Sequence, residues 1–181
     1  MFPHLPSLNE TGASTGSSVV SVPPPQNFRP ADGVRDAYFA DTSIAGQGTS
    51  YSQRAGARYE RQFLDHFEKK FGPTFRRSPL IHFCDASGYR TCVPDAVYRE
   101  NALSVVVFEI KYQHMPEAWW QLRKLYEPVV QRVFPKCHVS VIEVCRSFDP
   151  TTPFPETVRL IPDLNSCLSS KEFQVFRWKR P

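Results

Sequence analysis

Four side chains have types and spacing that could do chemistry together: Asp95 in the step Pro94-Asp95, Glu109 and Lys111 in Glu109-Ile110-Lys111, and Glu60 more than thirty residues upstream. The first three sit in TCVPDAVYRENALSVVVFEIKY (Thr91 to Tyr112), a stretch rich in apolar β-formers. An unpaired charge is costly to desolvate there, so these groups must pair with one another or with an ion. Two close carboxylates repel and raise each other's pKa unless a cation neutralises them. Hard oxygen ligands of this kind suit Mg²⁺, with Mn²⁺ as a substitute, because these ions keep several waters and accept phosphate oxygens as further ligands. Strand alternation puts Lys111 on the same face as Glu109, roughly 6–7 Å along. From there it can orient or help deprotonate an attacking water and offset charge on phosphate. The chemistry is metal-assisted in-line displacement at phosphorus. The structural alternative is an ion pair between Lys111 and the two acids at a sheet end.

The elements that must position these groups can be read in outline. From about Ser52 to Phe71, Phe63, Leu64, Phe67 and Phe71 recur at helical spacing, and Gly72-Pro73 ends the run. Glu60 lies on the core side of that helix near its start, where a helix dipole also favours an acid. Three strand-like runs follow: Pro79 to Asp85, Tyr89 to Arg99 and Leu103 to Tyr112. Short connections make them an antiparallel meander, and the last, apolar on both faces, is a central strand. If the loop between the second and third is centred on Asn101, Asp95 lies opposite Val107. If it is centred on Ala102, Asp95 faces Glu109 directly. An even-length loop would put the two acids on opposite faces.

His114 to Phe134 reads as a second helix, with Pro116 tolerated in its first turn and Pro128 kinking or splitting it. Cys137 to Cys145 is a fourth strand. A short strand at Thr157 to Ile161 and the final run EFQVFRWKR, read as an edge strand covering a core, complete the chain.

Pro94-Asp95, thirteen intervening residues and then Glu109-Ile110-Lys111 resemble the PD-(D/E)xK nuclease superfamily. Gly56-Ala57-Arg58-Tyr59-Glu60-Arg61 is similar to the Gly-x-x-x-Glu-Arg opening helix of archaeal Holliday-junction resolvases and related small nucleases. The resemblance covers about residues 52 to 145. It implies an α/β, restriction-endonuclease-like α-β-β-β-α-β core, its mixed central sheet flanked by helices. It further implies that Asp95, Glu109, Glu60 and the Ile110 backbone carbonyl bind Mg²⁺ and that Lys111 assists the water. One departure concerns the exonuclease-like branch, which often carries Gln-x-x-x-Tyr after the lysine, whereas Gln121 is followed by Tyr126, one residue too far. Gln121 and Gln113 are auxiliary candidates.

Length and composition fit this picture. A chain of 181 residues suits one domain with a core of its own. The formal charge of +4 permits a polyanionic partner without demanding one. Arg76, Arg77, Arg90, Arg123 and Lys124, with the basic run Arg177-Trp178-Lys179-Arg180, are candidate phosphate contacts, scattered surface charge being the ordinary alternative. Residues 1–50, rich in Ser, Gly, Thr and Pro, read as a flexible or peripheral arm, and 51–181 as the nuclease-like domain, with an extension from 147.

Five cysteines without a CxxC pair read as reduced thiols, and His82, Cys84, His114 and His138 as no metal site. No apolar run spans a membrane and no basic leader is present, so the expected place is the cytoplasm, a host's if the source is viral. The expected function is metal-dependent DNA hydrolysis without a small-molecule cofactor. Symmetric cutting of a junction would call for a homodimer. The alternative is a non-catalytic nucleic-acid-binding or assembly protein on the same fold.

Overall fold

The computed structural model describes residues 21–43, 51–167 and 170–179. It is an α/β protein in which two helices pack against a mixed six-stranded sheet and a small antiparallel sheet. The first helix, α1 (Tyr51–Phe71), covers one face of the large sheet. Its stripe of Tyr59, Phe63, Leu64 and Phe67 packs with Val106, Phe108, Ile110, Ile142 and Val144. Gly72, at φ +64°, turns the chain out of α1 in a backbone conformation that a side chain would strain.

Strands β2 (Phe75–Arg77), β3 (Pro79–Asp85), β4 (Gly88–Cys92) and β5 (Ala96–Arg99) form one long bent hairpin. Paired residue numbers have the same sum in β2/β5 as in β3/β4, so the register runs unbroken through the bend. The inner half, β2 and β5, belongs to the large sheet. The outer half, β3 and β4, peels away to pair with β1 (Asp36–Ser43) in the small sheet. The run expected as a single strand from Tyr89 to Arg99 is therefore broken at Val93-Pro94-Asp95, where proline offers no ladder donor. At this corner Ser78, with φ +38°, donates its N–H to the Asp95 carbonyl at 2.8 Å.

β6 (Ser104–Gln113) pairs antiparallel with β5 and parallel with β7 (His138–Ser147). Ser104 through Ile110 are all buried, as the doubly apolar text requires of a central strand. The order across the large sheet is β2, β5, β6, β7, β9 (Phe173–Arg177) and β8 (Val158–Ile161). The final run is thus not an edge strand: β9 lies between β7 and β8, both parallel to it, and buries Phe173, Gln174, Val175 and Phe176.

The opposite face of the large sheet carries the second helix. It comprises α2 (Pro116–Gln121), a π-helical stretch (Leu122–Tyr126) and α3 (Glu127–Val133), and packs Trp119, Leu122, Tyr126, Val129 and Val130 over Val105, Val107, Val139 and Val141. Pro128 has no N–H to return to the Lys124 carbonyl four residues back. That carbonyl accepts instead from the backbone N–H of Ala31, at 2.7 Å. Within the segment read as an arm, Ala31 is buried and residues 36–43 are a strand, while residues 1–20 and 44–50 lie outside the described residues. No helix among the described residues is long and apolar enough to cross a membrane.

Candidate active site

The loop from β5 to β6 sets the register on which the site depends. Asn101 accepts the Leu103 N–H on its side-chain oxygen at 2.8 Å, an Asx turn, and the Glu100 N–H bonds to the Ser104 carbonyl at 3.1 Å. Ala96 then pairs with Phe108 and Val97 with Val107. One step further along this ladder, at the corner, Asp95 stands opposite Glu109. Its carboxylate accepts the Ile110 backbone N–H at 2.6 Å.

Glu109 is 3 % exposed. One of its oxygens, Oε1, meets the Lys111 ammonium at 2.6 Å, while Oε2 is buried without a hydrogen-bond partner among the described residues. Burial holds the Asp95 carboxyl well above the usual range, and the charges of Glu109 and Glu60 add to it. Glu109 is likewise raised, by burial first, against the pull of Lys111 and with Glu60 and Glu143 adding to the rise. Burial also raises Glu60, opposed by Lys111 and Arg77. Lys111 is raised, because the surrounding acids, Glu109 foremost, outweigh a burial that favours the neutral amine. At neutral pH Lys111 is therefore an ammonium ion. The structure brings Glu60, Asp95, Glu109 and Lys111 into one electrostatic cluster.

The sequence reading missed a second layer. Glu143 on β7 is in register with Glu109 and is completely buried. It accepts from the Met115 N–H at 2.9 Å and lies 2.7 Å from His114 Nδ1, whose ring stacks on Phe154 at 4.3 Å. The signal was present in HVSVIEVC, a lone acid in a strand covered on both sides, the same oddity that marked Glu109. His114, read as incidental, is part of this pair. Tyr126 was also missed as a neighbour of the acids. Burial raises its phenol and the charges of Glu109 and Asp95 raise it further, while its hydroxyl donates to the Val93 carbonyl at 3.3 Å.

Of the auxiliary candidates, Gln113 is exposed on the strand face of Lys111, and Gln121 carries a buried Oε1 with no partner among the described residues. Most of the cations proposed for phosphate contacts are engaged internally. Arg77 bonds to Asp65 and Glu68 at 2.8 and 2.9 Å, Arg90 to Asp85 at 2.6 Å, and Arg123 to Glu156 and Glu127 at 2.7 and 3.0 Å. Arg76 lies over the Phe39 ring and Lys124 over Trp119.

Among the described residues no three His, Cys, Asp or Glu side chains are assembled tightly enough to hold an ion as they stand. The donor set nevertheless fits Mg²⁺, which takes one or two carboxylates and completes its shell with water and substrate oxygens. Asp95 and Glu109 face one another, and the unpartnered Glu109 Oε2 is a buried anionic oxygen short of a cation. Comparison with protein-family models, with curated proteins and with solved structures gave no match.

This crowding predicts a stability effect independent of any activity. An acid whose folded pKa is raised above its unfolded value binds its proton more tightly when folded, so stability is fully present below the unfolded pKa and is lost as pH rises through the folded one. Asp95→Asn keeps an oxygen for the Ile110 N–H and removes the charge. Without divalent metal it is expected to raise the melting temperature at pH 8 by about 2–4 °C, the equivalent of roughly 1 kcal/mol in a chain of this size. The gain should shrink toward pH 4, near the unfolded pKa of an aspartate. A melting series in EDTA checks this, and a variant less stable than the parent at pH 8 would count against a strained carboxylate.

Proposed function

We propose that the protein is a metal-dependent DNA nuclease with a restriction-endonuclease-like core. The observation that carries the reading is the β5–β6 register, which sets Asp95 against Glu109 with Lys111 on the same strand face. Support also comes from the element order: a helix bearing Glu60, the bent hairpin with β6 as three strands, then a helix and a parallel strand. Asp95, Glu109, Glu60 and the Ile110 carbonyl would hold Mg²⁺ or Mn²⁺, which when bound supplies an activated water and offsets charge on phosphate.

The chain's own groups divide the remaining work. Lys111, held as a cation by its acidic neighbours, places positive charge beside the phosphate oxygens on which negative charge grows, a role that suits it better than proton abstraction. Asp95 is fixed by the Ile110 N–H, so its free oxygen has a defined direction. Glu143, braced by His114 and the Met115 N–H, tethers β7 to the start of α2 beside Glu109. The test is Mg²⁺- or Mn²⁺-dependent cleavage by purified protein across duplex, single-stranded, flapped and four-way DNA. No cleavage on any of them sinks the reading.

One interaction favours a second reading, a non-catalytic nucleic-acid-binding protein. The Lys111–Glu109 pair already neutralises one acid without a metal. Calorimetry separates the two: a working cluster gives a Mg²⁺ binding heat that Asp95→Ala removes, and a binding module gives none.

A further inference from the structure

On the α1 side of the large sheet, beyond the carboxyl ends of β6, β7 and β9, lies a groove of about 820 Å³. Arg54, Arg58, Arg146 and Lys179 line it together with Tyr112 and Trp178, and among the described residues no acid does. Arg54 and Arg58 are one turn apart on the exposed side of α1 and, like Lys179, form no ion pair with any described residue. They differ in this from Arg77, Arg90 and Arg123, whose charges are matched internally. Four cations from three separate segments around one concavity repel one another unless an anion joins them.

The aromatic part of the lining narrows the anion. Tyr112 is 36 % exposed, with the Arg146 guanidinium over its ring at 5.3 Å and Tyr59 edge-on at 6.0 Å. Tyr59 in turn donates its hydroxyl to the Trp178 carbonyl at 3.0 Å, which fixes the floor. A rigid ring beside a track of cations is the arrangement that binds single-stranded nucleic acid, with bases stacking while phosphates follow the charge. A concavity on the scale of a small-molecule pocket suits a nucleotide or two of a strand whose bases are free of pairing partners and can reach its rings. Of the groove residues, Tyr59 directly precedes Glu60 on α1, while Tyr112 follows Lys111 at the carboxyl end of β6 but points to the opposite face of the sheet from it, so a strand in the groove reaches the site around that end.

We propose that this groove binds the sugar–phosphate backbone and a stacked base of single-stranded DNA and leads that strand to the acidic cluster. The second half of the proposal rests on the nuclease reading; the binding half does not. The experiment is fluorescence anisotropy of the full chain with a short labelled oligothymidine and with a hairpin duplex, in EDTA so that no cleavage intervenes. The single strand is expected to bind at least tenfold more tightly than the duplex. Arg54→Glu/Arg58→Glu should weaken it about tenfold or more and flatten the logarithmic salt dependence by about 1.4, at roughly 0.7 for each phosphate no longer neutralised. Tyr112→Ala should weaken the single strand while sparing the duplex.

Arg54→Gln/Arg58→Gln, with a melting curve, serves should charge reversal disturb the fold. Unchanged affinity in the arginine variants overturns the proposal. So does equal binding of inositol hexakisphosphate with no dependence on Tyr112, which would mark a general polyanion site. Groove binding without cleavage by the parent defeats the nuclease reading alone. Cleavage with groove variants that bind normally defeats this proposal alone.

Discussion

Lys111→Ala and Asp95→Ala are each expected to reduce metal-dependent DNA cleavage by about 10²–10³-fold, the scale on which an enzyme loses rate when one group that stabilises transition-state charge is removed. The expectation follows from position. Lys111 Nζ sits 2.6 Å from Glu109 Oε1 on the central strand, and Asp95 faces the same residue across the ladder. Lys111→Arg adds a finer discrimination. If Lys111 acts by charge, arginine restores part of the rate; if it must give up a proton, arginine, which stays protonated, restores none. Single-turnover assays with matched metal concentrations measure both. Undiminished cleavage in the two alanine variants would show that any observed activity comes from another site or another protein.

The largest expected loss of stability belongs to the pair behind the site. His114→Ala should cost about 3–5 kcal/mol, because it leaves the buried Glu143 carboxylate without the group opposite it. At about 2–4 °C per kcal/mol for a chain of this size, the melting temperature falls by roughly 10 °C or more. Glu143→Gln is the contrasting case. An amide still accepts the Met115 N–H and faces His114, so its cost should stay within about 1 kcal/mol, near that of one ordinary neutral hydrogen bond. A double-mutant cycle on these two positions reads the coupling directly. If His114→Ala melts like the parent, neither the pair with Glu143 nor the stacking on Phe154 carries net stability.

Much of the frame is legible in the sequence because periodicity reports burial. The stripe Phe63, Leu64, Phe67 locates α1, and the doubly apolar text before Glu109 locates the central strand. The register of Asp95 stays open between two odd-length loops, since nothing in residues 100–103 alone says where the turn is centred. The Asn101 side chain decides it, by a bond that forms only in the folded loop.

The bend at Pro94-Asp95 is hidden for a different reason. Proline there suits an edge, a bulge or a corner equally, and the choice depends on β1, whose partner β3 is distant in sequence. β1 itself lies in text too polar to announce a strand, and β9 resembles an edge because β8, which flanks it, is short. The basic residues show the limit most plainly. A sequence displays charges but not their partners, so it points to Arg77, Arg90 and Arg123, which are occupied, and not to Arg54 and Arg58, which pair with no described residue.

The Lys124 carbonyl gives Pro128 a meaning beyond a break in a helix. The carbonyl is offered, and whether residue 128 has a donor decides one claim on it: with proline that claim is absent, and Ala31 bonds there from a distant part of the chain. Pro128→Ala would restore the local claimant, so a helix repaired by its own standards would compete with the segment leading into β1. The proline acts as a vacancy held open for a docking segment, and the join between the amino-terminal segment and the body of the protein is written in the helix rather than in the segment that docks there.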